Sequence, residues 1–483
     1  MRRPAAVSAG RASVADALVV LVLGVAAFAI RSVFLGELRG SDGSLVMTDP
    51  DALYHARRAL YGLANFPRVL GFDAYLNHPD GSPVPWPPLY DWALAAAAVV
   101  LGGSPTALDR VLAWASPVLG ALTVLPVYAI GRLLAGRGTA AGAAALFAAL
   151  PVAVHYARVG NPDHHACVAL QGACFLALSV ALLRPASRGR RLALLAVGLL
   201  VTRVLLVLSW SGSLLTLGVG EGALLLGATL AGRRDLLLAQ SAGALGAAAL
   251  VAPWIWLAGP PLGGAFSTIS LSWFHVAVLA GVGAVCGSLA ALEGWRPART
   301  LALRAGRAIA VGSLAAAVLL GFPGPRQALA PSAAFLGKSD GWITDQNPET
   351  RSLFGPPIAD AQVPRPPPTW YYGWLAYAIP VAIAVALLRL RRRDGREAAA
   401  CFAAWTLSLG VLALYEIRFG PDFAPAASVA FAQTFALAQR PLARRLPGGT
   451  RSATALAILL GAAARPSRRR RRRRATAIAT GIA

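Results

Sequence analysis

Long apolar runs separated by short loops dominate the chain. They fall at about 14–35, 111–131, 138–156, 165–183, 191–209, 211–231, 235–258, 271–292, 304–322, 371–388, 397–415 and 422–439, with a weaker run at 452–464. Most approach the roughly 20 residues that a helix needs to cross a bilayer. The run Leu89–Leu101, bounded by Pro87–Pro88 and Gly102–Gly103, is too short for that. The pattern predicts an all-α polytopic membrane protein with about 12–13 transmembrane helices.

Charge placement orients these spans. If Leu89–Leu101 does not cross, alternate loops carry Arg132/Arg137, Arg184–Arg191, Arg233/Arg234, Arg296–Arg307, Arg389–Arg396 and Arg440–Arg445. These fall on the same side as Arg2, Arg3 and Arg11, as the positive-inside rule requires. If the run did cross, the N-terminal basic residues would oppose all the later clusters. The run is therefore expected to be a helix lying in or on the outer surface. The outward loops are then 36–110, 157–164, a turn near Trp210–Gly212, 259–270, 323–370 and 416–421. The Pro-rich stretch 323–370 reads as one long irregular loop, a length that is usually functional or disordered.

Composition agrees: 57% of the 483 residues are hydrophobic and 14% charged, with a mean hydropathy of +0.59. Soluble domains carry roughly 25% charged residues. The net charge of +24 resides in arginines clustered in inter-span loops, so it reflects topology and implies no nucleic-acid partner. The four cysteines lie in apolar stretches without metal or disulfide spacing. The Arg-rich start lacks a small-residue cleavage site and reads as an uncleaved first span. Abundant Ala, Arg and Gly with little Lys matches a bacterium of high genomic GC content. The expected location is the cell inner membrane, multi-pass, with the site on the periplasmic, extracytoplasmic face.

Three acidic clusters sit in outward loops: Asp49–Pro50–Asp51, Asp163–His164–His165 and Glu349. Ionisable groups in such a chain mark a site by default. Asp49 and Asp51 precede the helix-compatible run Ala52–Leu60, where either could cap the helix or bind a divalent cation such as Mg²⁺ or Mn²⁺. On a helix, Asp163 and His165 would point roughly 200° apart. Shared ligation of one ion therefore needs a non-helical chain there, which Pro162 favours; the alternative is a capping Asp with interfacial His. On chemistry alone Asp340, Asp345 and Asp360 are candidates equal to Glu349. Arg418 is the only Arg in its short outward loop; it suits a phosphate, or pairs locally with Glu416 or Asp422. The aromatic groups Trp86–Trp92 and Trp370–Trp374 are accounted for by the interfacial belt.

Together these residues resemble the oligosaccharyltransferase catalytic-subunit family. Asp51-Ala-Leu-Tyr54-His55-Ala-Arg57 resembles the family's first acidic motif and Asn161-Pro-Asp163-His164-His165 its second. Trp86-Pro-Pro-Leu-Tyr-Asp91 and Trp210-Ser-Gly212 resemble recurrent segments, Glu349-Thr-Arg-Ser-Leu-Phe the long-loop motif, and Arg418-Phe419 the pair near the lipid pyrophosphate. The resemblance covers residues 14–440 and implies a GT-C type glycosyltransferase transmembrane domain there, after a cytoplasmic N-terminus at 1–13. It implies a metal, Mn²⁺ or Mg²⁺, on Asp51, Asp163 and His165. It also implies catalytic Asp51 and Glu349, a pyrophosphate contact from Arg418, and substrate contacts from His164, Trp210 and Tyr54. The implied reaction is an inverting transfer of an oligosaccharide from a polyprenyl pyrophosphate to the amide nitrogen of Asn in Asn-X-Ser/Thr. The partners are therefore that lipid-linked oligosaccharide, an acceptor polypeptide and the bilayer.

Family members continue into a soluble outer domain with a Trp-Trp-Asp-Tyr-Gly motif, which this sequence lacks. Residues 441–483 hold a half-length apolar run and Arg468–Arg474, the expectation for a truncated or frameshifted copy that truncation could leave inactive; the alternative is a short form that needs a separate partner to recognise acceptors. The alternative function is another polyprenyl-phosphate-dependent glycosyltransferase of the same fold, acting on lipid, glycan or Ser/Thr. A transporter fits less well, because transporters bind substrate near the midplane and these ionisable residues crowd one surface.

Overall fold

A computed structural model describes residues 5–443 apart from 39, 41–45, 48, 260–263, 340, 342–346 and 356–365, and without the side chains of 5–13, 37 and 440–443. The predicted weak run 452–464, the Arg468–Arg474 tract, Asp340, Asp345 and Asp360 lie outside the described residues.

The main helices are α1 (Ala5–Ser32), α2 (Pro50–Ala64), α3 (Leu89–Val100), α4 (Pro105–Leu122), α5 (Val124–Ala135), α6 (Arg137–Ala149), α7 (Pro151–His155), α8 (His165–Leu182), α9 (Gly189–Ser209), α10 (Ser213–Ala231), α11 (Arg234–Ala258), α12 (Trp273–Trp295), α13 (Leu301–Gly321), α14 (Pro323–Leu336), α15 (Ile379–Leu388), α16 (Arg396–Tyr415) and α17 (Gly420–Ala443). A two-residue hairpin, β1 (Phe72–Asp73) with β2 (Ser82–Pro83), decorates the first outer loop.

Ten helical segments among the described residues are long and apolar enough to span a membrane. The sequence predicted more, and two segments account for most of the difference. The run 138–156 is broken by Pro151 into α6, of 13 residues, and the single turn α7; Pro lacks the N–H that would continue the ladder. The run 422–439 is a continuous 24-residue helix, α17. Its Asp422, Ser428, Gln433 and Thr434 lower its hydropathy because protein surrounds it: Phe423, Ala424, Ala426, Ala427, Val429 and Ala430 are all fully buried. The 12-residue α3 is too short to cross and rests on α2 and α4 through Tyr90, Leu94 and Ala98. The stretch 323–370 is not wholly irregular: its first 14 residues form α14, which opens with Pro323 at a first-turn position where a missing N–H costs nothing.

Small residues let the helices approach closely, as membrane packing requires. At the α5–α6 crossing, a Cβ on Gly131 would lie 2.8 Å from the Ala140 Cα, so only glycine fits. Two buried arginines set geometry that apolar packing alone would leave free. Arg31 donates to the carbonyls of Ala27 and Ala148, both at 3.1 Å, and of Ala153 at 3.2 Å. It thereby satisfies acceptors freed where α6 breaks into α7. That break turns the chain toward the Asp163 loop. Arg203 of α9 pairs with Glu221 of α10 at 2.5 and 3.0 Å, and Gln240 of α11 donates to the same carboxylate at 2.9 Å. At the opposite end of the bundle from Asp163, arginines bind main-chain carbonyls: Arg389 binds Leu134 O at the end of α5 at 2.7 Å, and Arg233 binds Ser187 O in the α8–α9 loop at 2.6 Å.

Candidate active site

The start of α2 places the first acidic pair. Asp49 is its N-cap, its Oδ1 accepting from the Asp51 N–H at 3.1 Å. That leaves Asp51 exposed in the first turn, where the helix dipole favours a carboxylate. Asp163 ends a non-helical stretch; α8 begins only at His165. The non-helical backbone after Pro162 lets Asp163 fold back, accepting from the His164 N–H at 2.6 Å and lying 3.5 Å from His165 Nε2 through its other oxygen. Asp163 and His165 therefore face one another despite being two residues apart.

Glu349 arrives from the long loop. Asn347 caps its short turn, and the Tyr156 hydroxyl donates to Glu349 Oε1 at 2.9 Å. Tyr156 also packs edge-on against His165, centroids 4.8 Å apart. Thus three segments distant in sequence meet at one mouth. Partial desolvation by the surrounding protein and then the neighbouring Asp163 push the carboxyls of both Asp49 and Asp51 above the ordinary range, although Asp51 keeps an open side toward the mouth, and Glu349 adds to the effect. Such mutual repulsion fits a donor set built for a hard cation, which favours carboxylate oxygens. Asp163 also lies in a tighter buried group, since ligand atoms of His55, Asp163 and His164 all fall within 4.8 Å of one another.

His55 and Asp91 had no role in the sequence reading, and the structure brings both to the site. His55 Nε2 lies 3.5 Å from Asp163 and 3.1 Å from His164 Nδ1. Its Nδ1 is held by Asp91 at 2.6 Å, and Arg58 holds the other Asp91 oxygen at 2.5 Å. Burial opposes a charge on His55, but Asp91 and Asp163 outweigh it and raise its pKa to about 9. The available signal was spacing: His55 is one helical turn after Asp51, and Asp91 stands in the first turn of α3. The chain Arg58–Asp91–His55 backs Asp163 as outer partners back a metal ligand. Asp91→Asn is expected to weaken divalent-cation affinity about tenfold to a hundredfold, with the fold intact by thermal melting. Titration calorimetry checks it, and unchanged affinity would remove the relay.

Beside the mouth opens a largely apolar cavity of about 740 Å³. Trp210, Leu214 and Leu215 line one wall, Phe335 and Leu336 of α14 another, and Arg418 and Lys338 supply the polar end. Trp210 links cavity and acidic mouth, its ring 5.0 Å from that of His164. A shallower groove shares Leu214 and Leu215 and continues past Gly218, Gly222 and Ala404 along α10 and α16. Arg418 Nε is buried without a hydrogen-bond partner among the described residues, and no ion pair joins Arg418 to Glu416 or Asp422. Tyr54 stands farther back, its hydroxyl on Asp73 at 3.3 Å and its ring against Trp86.

Residues 39–278, about half of the chain, match the family model described as Oligosaccharyl transferase STT3, N-terminal. The chain belongs to the oligosaccharyl transferase family. The dolichyl-monophosphooligosaccharide–protein glycotransferase AglB of Haloferax volcanii is 36% identical over 129 residues, 26% of this chain and 12% of that protein. The archaeal oligosaccharyltransferase AglB from Archaeoglobus fulgidus, solved with an inhibitory peptide and a dolichol-phosphate, superposes with a TM-score of 0.77 at 19% identity over 92% of this chain and 54% of that one. The Archaeoglobus fulgidus oligosaccharyltransferase solved with Zn and sulfate gives 0.70 at 21% identity, over 92% and 51%. The chain thus spans about half the length of these solved oligosaccharyltransferases and shares their membrane fold.

Proposed function

We propose that this site transfers an oligosaccharide from a polyprenyl pyrophosphate to the Asn amide of an Asn-X-Ser/Thr acceptor, with inversion at the sugar carbon, on the extracytoplasmic face of the inner membrane. The observation that carries the reading is the meeting of Asp51, Asp163–His165 and Glu349 beside a cavity whose polar end bears Arg418. Family membership and the peptide and dolichol-phosphate of the solved relative support it.

Asp51, Asp163 and His165 would hold a Mn²⁺ or Mg²⁺ ion. The alternative trio of His55, Asp163 and His164 is wholly buried, whereas Asp51 is open to the mouth. When bound, the ion supplies positive charge that stabilises the departing pyrophosphate. An amide nitrogen is a poor nucleophile because its lone pair is delocalised into the carbonyl. Asp51 and Glu349 accept hydrogen bonds from its two N–H groups, which weakens that conjugation and orients the lone pair. The nitrogen attacks the anomeric carbon, the bond to the pyrophosphate oxygen breaks, and a carboxylate takes the amide proton. Tyr156 holds Glu349 in place for this. Arg418 takes charge on the leaving group, and the groove along α10 accommodates the polyprenyl chain.

Glycopeptide mass spectrometry of the host with and without the gene tests the reading. Modified Asn-X-Ser/Thr peptides are expected to vanish on deletion, and an unchanged glycopeptide set would overturn the assignment. In membranes, EDTA is expected to stop transfer and Mn²⁺ or Mg²⁺ to restore it; turnover that survives chelation would remove the metal from the mechanism.

A further inference from the structure

Lys338 is the only lysine among the 45 basic residues of the chain. It stands just beyond α14 with φ +52, a backbone region that costs strain for any side-chain-bearing residue. Three bonds hold it there: Gly337 N–H to Ala333 O at 2.8 Å, Lys338 N–H to Phe335 O at 3.0 Å, and Ser339 N–H to Ala334 O at 3.1 Å. The left-handed turn brings the half-buried side chain to the cavity, at the same end as Arg418.

The two cations share an environment. The Lys338 ammonium lies over the Tyr415 ring at 4.2 Å and the Arg418 guanidinium over Phe335 at 5.0 Å. The Lys338 acceptors are neutral, Tyr415 O at 3.2 Å and Ser352 Oγ at 3.4 Å. Neither cation forms an ion pair among the described residues. The nearby Glu416 carboxylate is fully buried with both oxygens unbonded, and it stabilises the two charges only from a distance. Two positive groups that no direct ion pair holds among the described residues, with the Glu416 and Asp422 carboxylates acting only through space, stand at one end of an apolar cavity and match an amphiphile whose head carries two phosphates.

We propose that Lys338 and Arg418 form a two-cation seat for the diphosphate head of the lipid donor, a reading that rests on the function proposed above. Arg418 offers a planar fork that grips one phosphate. Lys338, a compact charge on a flexible stem with three rotatable donors, exchanges its neutral acceptors for the other phosphate. A lipid monophosphate needs only one of the two, so Lys338 confers preference for the diphosphate.

Because the chain has one lysine, amine-reactive labelling read by peptide mass spectrometry reports Lys338 directly. The full chain in nanodiscs is labelled with polyprenyl pyrophosphate, polyprenyl monophosphate or inorganic pyrophosphate present. Protection is expected from the lipid pyrophosphate at concentrations where inorganic pyrophosphate gives none; equal protection by the two would overturn the lipid assignment. Binding of the same lipids is then compared in Lys338→Met, Lys338→Arg and Arg418→Ala. Lys338→Met is expected to lose about tenfold to a hundredfold affinity for the lipid pyrophosphate and little for the monophosphate. Lys338→Arg is expected to recover most of that loss, which a purely structural role for the residue would not produce. Lys338→Gln serves if the Met variant is not monodisperse. If Arg418→Ala weakens the pyrophosphate lipid while the Lys338 variants bind like the parent, the two-cation seat fails and the proposed function stands. If the parent chain binds no pyrophosphate lipid, both fail.

Discussion

Asp163→Asn is expected to lower the rate of glycan transfer at least about a thousandfold, roughly 4 kcal/mol of transition-state stabilisation, while membrane insertion and thermal stability stay near those of the parent. The isosteric amide keeps the volume but removes the charge at the point where three groups of partners converge. Asp163 accepts from the His164 backbone at 2.6 Å, faces His165 at 3.5 Å and meets His55 at 3.5 Å. It also raises the carboxyls of Asp49 and Asp51, so its loss rearranges the electrostatics of the whole mouth. The variant and its parent are compared by glycopeptide formation at matched protein levels. A loss smaller than about tenfold would exclude Asp163 from the reacting centre.

The second large effect concerns stability. Glu221→Ala leaves the Arg203 guanidinium buried without its carboxylate and removes the side-chain acceptor of Gln240, leaving it only the longer bond to the residue 221 carbonyl. Arg203 is fully buried and Glu221 nearly so. Removing one partner of a buried pair costs about 3–5 kcal/mol, and intramembrane charge has little water to turn to. The double replacement Arg203→Met with Glu221→Leu is expected to recover most of that loss, because it takes away both charges together. Thermal unfolding in detergent, followed by tryptophan fluorescence, distinguishes the outcomes. A Glu221→Ala chain that melts with the parent would show that the α9–α10–α11 junction does not depend on the pair.

The site was legible in part. Carboxylates stand out in an apolar chain because each is costly to bury, so Asp51 and Asp163 could be singled out without coordinates, whereas Glu349 was one of four equal acids in its loop until the family resemblance selected it. Pro162 also signalled the non-helical backbone that lets Asp163 and His165 face one another. His55 and Asp91 were harder, since a histidine in an amphipathic helix and an acid in a first turn are ordinary. Only their 2.6 Å contact gives them a common task. Lys338 had a signal that went unused: one lysine against a background of arginine.

Sequence alone determined the class, the approximate spans and the loops that carry the acids, because hydropathy and charge act over local windows that a bilayer sorts. Tertiary structure decided which helices need lipid-grade hydropathy, since α17 is enclosed by protein and tolerates Asp422 and Gln433. It also decided where α6 breaks and how Tyr156 reaches Glu349. Partners 193 residues apart in the chain are fixed by packing and by buried hydrogen bonds, which no local window contains.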